Sequence, residues 1–228
     1  MANLRILVAD DHEVVRRGLR MLLASHAKWE VCAEAIDGRE AVTKTRQMKP
    51  DIVILDIGMP NMNGLEAARQ IIRENPEQRI LILTVAESDQ VVREALQTGA
   101  RGFVLKSDAA RELIAAVEAL EQQRTYFTSS AGQMILQEFL ADSHNGACPS
   151  QNAPHLTSRE REIVQLLAEG KSSKEVASIL SLSVKTAETH RSNLMRKLGI
   201  HCLSELVLYA VRNNIVQVER LHKQNSAT

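Results

Sequence analysis

The 228-residue sequence is poor in cysteine and aromatic residues and has no long apolar run. Its three cysteines, Cys32, Cys148 and Cys202, are far apart and form no C-x-x-C pair. This argues against a disulfide framework and a zinc site, and it fits a reducing cytoplasm. Because no stretch of about 18 apolar residues exists, we expect no membrane span and no membrane partner. The N-terminus also lacks the features of a secretory signal.

The net charge is zero, but the two halves of the chain differ in charge. From His155 onward there are eleven basic and seven acidic residues, whereas residues 1–154 carry 17 basic and 21 acidic residues. A basic C-terminal part favours a nucleic-acid partner for that part. The polar segment Ser143–Pro154, which contains two prolines, predicts a linker.

The N-terminal part alternates short apolar segments with amphipathic segments. The apolar segments, which we predict to be strands, are Arg5–Ala9, Trp29–Ala35, Asp51–Leu55, Arg79–Val85 and Gly102–Lys106. This alternation predicts an α/β domain whose five-stranded parallel sheet is covered by five helices on both faces. Right-handed crossovers place the carboxyl ends of all five strands at one edge of that sheet, where such folds build their sites.

Charged and polar side chains stand at those strand ends. Asp10 and Asp11 follow the first strand, Asp56 follows the third, Thr84 closes the fourth and Lys106 closes the fifth. Clustered carboxylates repel one another unless a cation neutralises them. Mg²⁺ prefers oxygen ligands and keeps waters that a phosphate can replace. The set therefore predicts a Mg²⁺ site that handles a phosphoryl group.

Residues 1–121 resemble a response-regulator receiver domain, which has the flavodoxin-like fold, through "VADDH", "LDIGMP", "LTV" and "GARGFVLKS". The resemblance implies that Asp56 accepts a phosphoryl group from a sensor histidine kinase and that Lys106 pairs with the phosphoryl oxygens. It implies that Thr84 and Phe103 form a switch pair. The Mg²⁺ ligands that it implies are Asp10, Asp11, Asp56 and the backbone carbonyl of Gly58.

Two positions beside the implied phosphoryl group depart from many relatives. Gly58 and Ala86 are small where larger side chains are frequent, so we expect hydrolysis of the phosphoryl group to change when either residue is enlarged. Phe103 keeps the ring of the usual tyrosine but lacks its hydroxyl group.

The C-terminal part carries helix signals only. Two capping-box pairs, Thr157–Glu160 and Ser172–Glu175, each predict the start of a helix. Ser183 can begin a third, longer helix that ends before Gly199, and Ser204–Val216 predicts a fourth. A short helix, a tight turn and a long helix indicate a helix-turn-helix, although capping alone fits a generic helical bundle equally well.

The segment Leu156–Ile200 resembles the LuxR-type DNA-binding domain through "LTSRE", "KEVA", "KTAETH" and "KLGI". We expect the long helix to enter the major groove, with Val184 among its inward-facing residues. The expected DNA contacts are Lys174, Lys185, Glu188, Thr189, Arg191, Ser192, Arg196 and Lys197. The resemblance implies dimerisation through the fourth helix, for which we predict Leu206, Val207, Ala210 and Val211.

Together the two parts resemble a two-component response regulator of the NarL/FixJ class. The predicted domains are a receiver (1–121), a linker with a helix near 130–141 (122–154), a DNA-binding domain of four helices (155–220) and a tail (221–228). The expected partners are a sensor histidine kinase, double-stranded DNA and a second copy on activation, with no small-molecule ligand and no turnover activity. A regulator that works without phosphorylation stays open as an alternative.

Three other classes fit the sequence less well. An aspartyl phosphatase needs a second aspartate two residues after the nucleophile, where this chain has Gly58. An electron carrier of the flavodoxin type needs aromatic residues for flavin stacking, and these make up only 3% of the chain. A quorum-sensing regulator would bind a small ligand in its N-terminal part, which the acidic strand ends disfavour.

Overall fold

A computed structural model of the chain describes residues 3–85, 88–128 and 156–216. The chain divides into two compact units, Met1–Ala147 and Cys148–Thr228. Ala86, the helix predicted near 130–141, most of the predicted linker and the predicted tail lie outside the described residues.

The N-terminal unit alternates strands and helices, as predicted. The strands are β1 (Leu4–Ala9), β2 (Trp29–Ala35), β3 (Ile52–Asp56), β4 (Arg79–Thr84) and β5 (Gly102–Leu105). The helices are α1 (Glu13–Ala24), α2 (Gly38–Met48), α3 (Gly64–Glu74), α4 (Asp89–Gln97) and α5 (Ala109–Glu121). Neighbouring strands pair in parallel in the order β2-β1-β3-β4-β5. This is a doubly wound sheet with its strand ends on one edge.

Successive strand residues point into two different cores. Ile54 and Leu83 belong to the core that α1 and α5 cover, whereas Leu55 and Ile82 belong to the core that α2, α3 and α4 cover. Because both faces of the sheet are buried, the strands need apolar residues at nearly every position, which is why they read as continuous apolar segments.

A sixth strand, which the sequence did not predict, extends the sheet. Strand β6 (Tyr126–Phe127) pairs in parallel with β5. The Tyr126 N–H donates to the Arg101 carbonyl at 2.9 Å, and the Thr128 N–H donates to the Phe103 carbonyl at 3.3 Å. Two residues are too few to show a strand periodicity, so the predicted count of five strands is corrected to six.

The C-terminal unit contains helices only among its described residues. They are α6 (Ser158–Ala168), α7 (Ser173–Ile179), α8 (Val184–Leu198) and α9 (Leu203–Arg212). Both predicted capping boxes are formed, Ser183 caps α8, and Gly199 ends α8 in the left-handed conformation at φ 64°. In the described parts of both units, no helix combines the length and hydropathy that a membrane span requires.

The prediction that Val184 faces inward is wrong. Its side chain is 44% exposed, whereas Ala187 and Leu194 on the same helix are buried. Val184 is the first residue of α8, directly after the Ser183 cap. Its helical spacing matched the buried residues, but at this end of the helix the matching face is exposed.

Two glycines provide a matched test of the packing around β3. A Cβ on Gly64 would lie 2.0 Å from the Asp56 carbonyl oxygen, whereas a Cβ on Gly18 would meet nothing within 4 Å. We expect Gly64→Ala to lower the free energy of unfolding by at least about 2 kcal/mol, because backbone must move. Gly18→Ala, within α1, should raise it by about 0.5–1 kcal/mol. Urea unfolding followed by Trp29, the single tryptophan, reports on this unit, and equal effects of both changes would contradict the packing.

Candidate functional site

The carboxyl ends of the strands bring the predicted charged side chains together. Asp10 follows β1, Asp56 ends β3 and Lys106 follows β5. The Lys106 Nζ lies 2.6 Å from Asp10 Oδ2 and 3.0 Å from Asp56 Oδ2. Asp10 is 0% exposed and Asp56 is 3% exposed. A single ammonium group therefore bridges two buried carboxylates.

Asp11 and His12 complete the acidic end of the site. One ligand atom from each of Asp10, Asp11, His12 and Asp56 lies within 4.8 Å of the others. The His12 Nδ1 is 2.9 Å from Asp11 Oδ1 and 3.3 Å from Asp10 Oδ1. His12 was not among the predicted site residues, although it directly follows the two aspartates in "VADDH".

The pKa values of the bridged pair follow from burial and charge. Burial raises the pKa of Asp56 to about 6, Lys106 opposes this, Asp10 adds to it, and the Gly58 N–H, which donates to the carboxylate, lowers it. Burial lowers the pKa of Lys106, but the charges of Asp56 and Asp10 outweigh this effect and leave it raised. Lys106 therefore stays charged, and its charge offsets only part of the effect of burial, which disfavours the ionised form of Asp56.

Backbone contacts fix the position of Asp10. Its carboxylate Oδ1 accepts the His12 N–H at 2.8 Å, and its carbonyl accepts Nη1 of Arg16 at 2.7 Å. Its own N–H donates to the Ala35 carbonyl at 3.1 Å. Arg16 was also not predicted, because a basic residue on an amphipathic helix gives no sign that it turns towards a strand end.

The loop between β3 and α3 is tied to the start of α2. The Asn61 Nδ2 donates to Asp37 Oδ2 at 2.9 Å, and the Gly38 N–H donates to the Met62 carbonyl at 3.0 Å. Asn61 adopts the left-handed conformation at φ 61°, which asparagine tolerates better than most residues. These contacts define the chain path immediately after Asp56.

The predicted switch residues occupy the neighbouring strands. Thr84 ends β4 and is buried, and its carbonyl accepts the Lys106 N–H at 2.7 Å. Phe103 lies within β5 and is 1% exposed, in the core that α2, α3 and α4 cover. The structure thus shows the inward position of the Phe103 ring.

Most of the predicted DNA contacts are exposed residues of the C-terminal unit. Arg159 Nη2 donates to the Leu180 carbonyl at 2.9 Å and so ties α6 to the turn before α8. Lys197 differs from the other predicted DNA contacts, because its Nζ is 2.8 Å from Glu160 Oε2. The exposed residues are Lys174 on α7 and Lys185, Glu188, Thr189, Ser192 and Arg196 on α8, and Arg191 is partly exposed.

Two residues predicted for dimerisation are corrected. Leu206 and Ala210 on α9 are buried in the core of the C-terminal unit, so they cannot form a surface while that unit is folded. Val207 is half-buried against the same core. Helical spacing identified the apolar face of α9, but that face packs inside the unit. The exposed apolar residues on α9 are Leu203 and Leu208.

The residues at the acidic end suit a hard divalent cation. The carboxylates of Asp10, Asp11 and Asp56 carry three negative charges when ionised, and Lys106 supplies one positive charge. The remaining charge of −2 and the carboxylate oxygens match Mg²⁺ in both charge and ligand type.

Comparison with known families agrees with both units. Residues 6–118 match the response regulator receiver domain, and residues 154–210 match the bacterial regulatory proteins of the luxR family. The sheet and its acidic strand ends define a receiver, and the four helices define a LuxR-type DNA-binding module. The chain belongs to the two-component response regulators of the NarL/FixJ class, which are transcription regulators and not turnover enzymes.

Individual relatives cover nearly the whole chain. The oxygen regulatory protein NreC of Staphylococcus epidermidis is 37% identical over 94% of this chain and 100% of its own length. RcsB of Salmonella typhimurium matches with a TM-score of 0.60 and 26% identity over 93% of this chain and 99% of its own. A structure of an RcsB–DNA complex matches with a TM-score of 0.56 and 25% identity over 92% of this chain and 98% of its own.

The raised pKa of Asp56 predicts a pH-dependent stability without Mg²⁺. A carboxyl whose pKa is raised on folding destabilises the fold once it ionises, so stability is lost as pH rises from about 4 to about 6. We expect the wild type to lose roughly 3 kcal/mol relative to Asp56→Asn across this range. Urea unfolding followed by Trp29 fluorescence measures the difference. Glu30→Gln, at an exposed carboxylate on β2, is the control. Parallel pH profiles of wild type and Asp56→Asn would contradict the shift.

Proposed function

We propose that phosphoryl transfer to Asp56 controls DNA binding by this regulator. The observation that carries the proposal is the Lys106 bridge between Asp10 and Asp56 at the strand ends. It supplies a carboxylate nucleophile and a cation in one small site, which phosphoryl transfer requires. We also propose that the protein acts in a reducing cytoplasm, where DNA and a kinase domain are both available.

The transfer step needs no general base. An Asp56 carboxylate oxygen attacks the phosphorus of a phosphohistidine on the kinase, the phosphorus–oxygen bond forms, and the phosphorus–nitrogen bond breaks with its electron pair on the histidine nitrogen. Because the carboxylate is already the nucleophile when ionised, the protein only has to orient it. The Gly58 N–H and Lys106 orient and stabilise this anion.

Asp10, Asp11, Asp56 and the Gly58 carbonyl would hold Mg²⁺. When bound, Mg²⁺ neutralises the negative charge of the carboxylates and of the incoming phosphoryl oxygens. Lys106, which contacts Asp56 in this structure, would exchange that contact for a phosphoryl oxygen. The change expected when Gly58 or Ala86 is replaced by a larger residue concerns the later step, in which water hydrolyses the phosphoryl group.

Thr84 and Phe103 would transmit the change. The Thr84 hydroxyl would bond a phosphoryl oxygen on Asp56, and the Thr84 carbonyl accepts the Lys106 N–H in this structure. The buried ring of Phe103 would then pack behind Thr84. The Phe103 carbonyl accepts the N–H of Thr128, next to β6. Two positions of this pair, one favoured by the phosphoryl group, form a two-state element.

The exposed surface of α8 would read DNA in the major groove. Lys185 lies near the start of the helix, where it would contact phosphate, and Glu188, Thr189 and Ser192 would face base edges. Arg191, Arg196 and Lys174 would add phosphate contacts. Lys197 would reach DNA only by leaving Glu160.

Activated protein would bind as a homodimer. The surface that supports this is the outer side of α9, where Leu203 and Leu208 are 43% and 54% exposed, with Val207 and Val211 partly exposed beside them. A symmetric pair would place two α8 helices on half-sites about one helical turn apart.

The central prediction is that phosphorylation raises dimerisation and DNA affinity together. The wild type with acetyl phosphate and Mg²⁺ should bind a DNA selected from a random pool more tightly than without the donor, and Asp56→Asn should show neither gain. Fluorescence anisotropy and analytical ultracentrifugation measure the two effects, and Glu30→Gln is the matched control. If the wild type takes up the phosphoryl group and neither property changes, the regulator works without phosphorylation.

A truncated chain tests whether the N-terminal unit restrains DNA binding. The fragment that starts at Pro154 should bind the same DNA without any donor. If it binds no better than the resting full-length protein, activation acts through dimerisation of the receiver alone.

Two substitutions on α8 separate affinity from sequence reading. Lys185→Ala should weaken binding to specific and random DNA alike and reduce the salt slope by about one unit, because one phosphate contact is lost. Glu188→Ala should relax preference at one base pair by about 1–3 kcal/mol, because its carboxylate would accept a hydrogen bond from cytosine N4. Competition titrations at several salt concentrations measure both. Equal losses on specific and random DNA for Glu188→Ala would remove it as a base reader.

A further inference from the structure

We propose that Lys197 is a positioning residue, which fixes the direction of α8 through Glu160 instead of contacting DNA phosphate. The two residues form an ion pair between the last turn of α8 and the first turn of α6. The Lys197 Nζ donates to Glu160 Oε2 at 2.8 Å and to Oε1 at 3.0 Å. The inference rests on the proposed function, because it concerns the helix that would enter the major groove. It replaces the DNA contact that the sequence predicts for Lys197.

The first observation is that Thr157 holds the Glu160 carboxylate in place. Glu160 Oε2 accepts the Thr157 N–H at 2.7 Å and the Thr157 hydroxyl at 3.1 Å, in the capping box of α6. Exposed ion pairs usually contribute little, partly because two long side chains must both be ordered. Here the capping box orders one of them, so mainly Lys197 loses freedom. Burial raises the pKa of Glu160, but the hydrogen bonds from Lys197 and Thr157 outweigh this effect and leave it lowered.

The second observation is where Lys197 lies around α8. At about 100° of rotation per residue, Lys197 is about 120° from Lys185, whereas the other exposed residues expected to face DNA are within about 60° of it. Those residues are Glu188, Thr189, Ser192 and Arg196. Lys197 therefore lies at the flank of the helix, where a lysine can turn either to a phosphate or to α6. In the structure it turns to α6.

The third observation is that α6 holds the chain at both ends of α8. Arg159, the residue before Glu160, donates from Nη2 to the Leu180 carbonyl at 2.9 Å, in the turn that precedes α8. Glu160 holds the last turn of α8. Hydrogen bonds to base edges depend on distance and angle, so a helix that reads bases needs a fixed direction. Loss of the Glu160 contact should therefore weaken specific binding without removing a phosphate contact.

The two possible roles of Lys197 predict opposite effects when the charge of Glu160 is removed. If Lys197 contacted phosphate, Glu160→Gln would release it and would remove a negative charge that repels DNA, so binding would tighten. If Lys197 positions α8, the same change should weaken specific binding although the unit becomes more basic. Glutamine at this helix position keeps the capping box, so the start of α6 is retained.

The experiment compares full-length wild type, Glu160→Gln, Lys197→Gln and the double variant on the DNA selected by the wild type. Fluorescence anisotropy at several salt concentrations is measured in the state, with or without acetyl phosphate, in which the wild type binds more tightly. We expect all three variants to bind about fivefold more weakly, because residues in one contact are not additive. The salt slope should not change. Tighter or unchanged binding by Glu160→Gln, or a slope reduced by about one unit in Lys197→Gln, would overturn the proposal.

Glu175→Gln is the matched control. Glu175 occupies the same place in the capping box of α7, where its Oε2 accepts the Ser172 N–H at 2.8 Å and the Ser172 hydroxyl at 2.7 Å. Within the described residues no lysine forms an ion pair with it. The change removes the same charge from the same kind of cap, so it should not weaken specific binding. A loss equal to that of Glu160→Gln would show that the ion pair is not the cause and would overturn the proposal.

Lysine reactivity tests the contact in the complex itself. Acetylation by an N-hydroxysuccinimide ester, measured by mass spectrometry with and without DNA, should show that DNA protects Lys185 and leaves Lys197 unchanged. In Glu160→Gln, Lys197 should react faster than in the wild type, because the ion pair no longer engages its amine. Protection of Lys197 equal to that of Lys185 would overturn the proposal and leave the proposed function intact. A Lys185 that DNA does not protect would contradict α8 as the helix that reads DNA.

Discussion

The contact of Lys106 with two buried carboxylates is the interaction on which the receiver unit depends. Asp10 and Asp56 are almost fully buried. Burying their charges away from water would destabilise the fold if no cation were beside them. Lys106 can reach both because β1, β3, β4 and β5 are parallel neighbours, which brings the four strand ends to the same edge. The Lys106 charge stabilises the two buried carboxylates in the folded unit. With Asp11 the site still carries excess negative charge, which attracts a divalent cation.

The rest of the unit keeps this contact in place. Arg16 and Ala35 hold the backbone of Asp10, and Gly64 allows α3 to begin against the carbonyl of Asp56. The β3–α3 loop is tied to the start of α2 by Asn61. A site built from strand ends and short, fixed loops is pre-oriented, which suits an in-line transfer that gains its rate from position.

Much of the fold could be predicted from the sequence, because the strands are apolar on both faces and the helices carry their own capping residues. The acidic strand ends were predicted for the same reason, since parallel topology determines where Asp10, Asp56 and Lys106 lie. Strand β6 could not be predicted because two residues show no periodicity. Leu206 and Ala210 were predicted for dimerisation because spacing identifies an apolar face but not what covers it. The contacts of His12 and Arg16 at the end of β1 depend on the direction of a side chain, which sequence spacing does not give.

The most direct test of the account is chemical identification of the phosphorylated residue. After incubation with acetyl phosphate and Mg²⁺, reduction of the acyl phosphate with borohydride converts the modified aspartate to homoserine, which peptide mass spectrometry locates. The account predicts homoserine at position 56 in the wild type and none in the Mg²⁺-free sample. Modification of Asp10 or Asp11 instead, or no modification of folded protein that binds Mg²⁺, would contradict it.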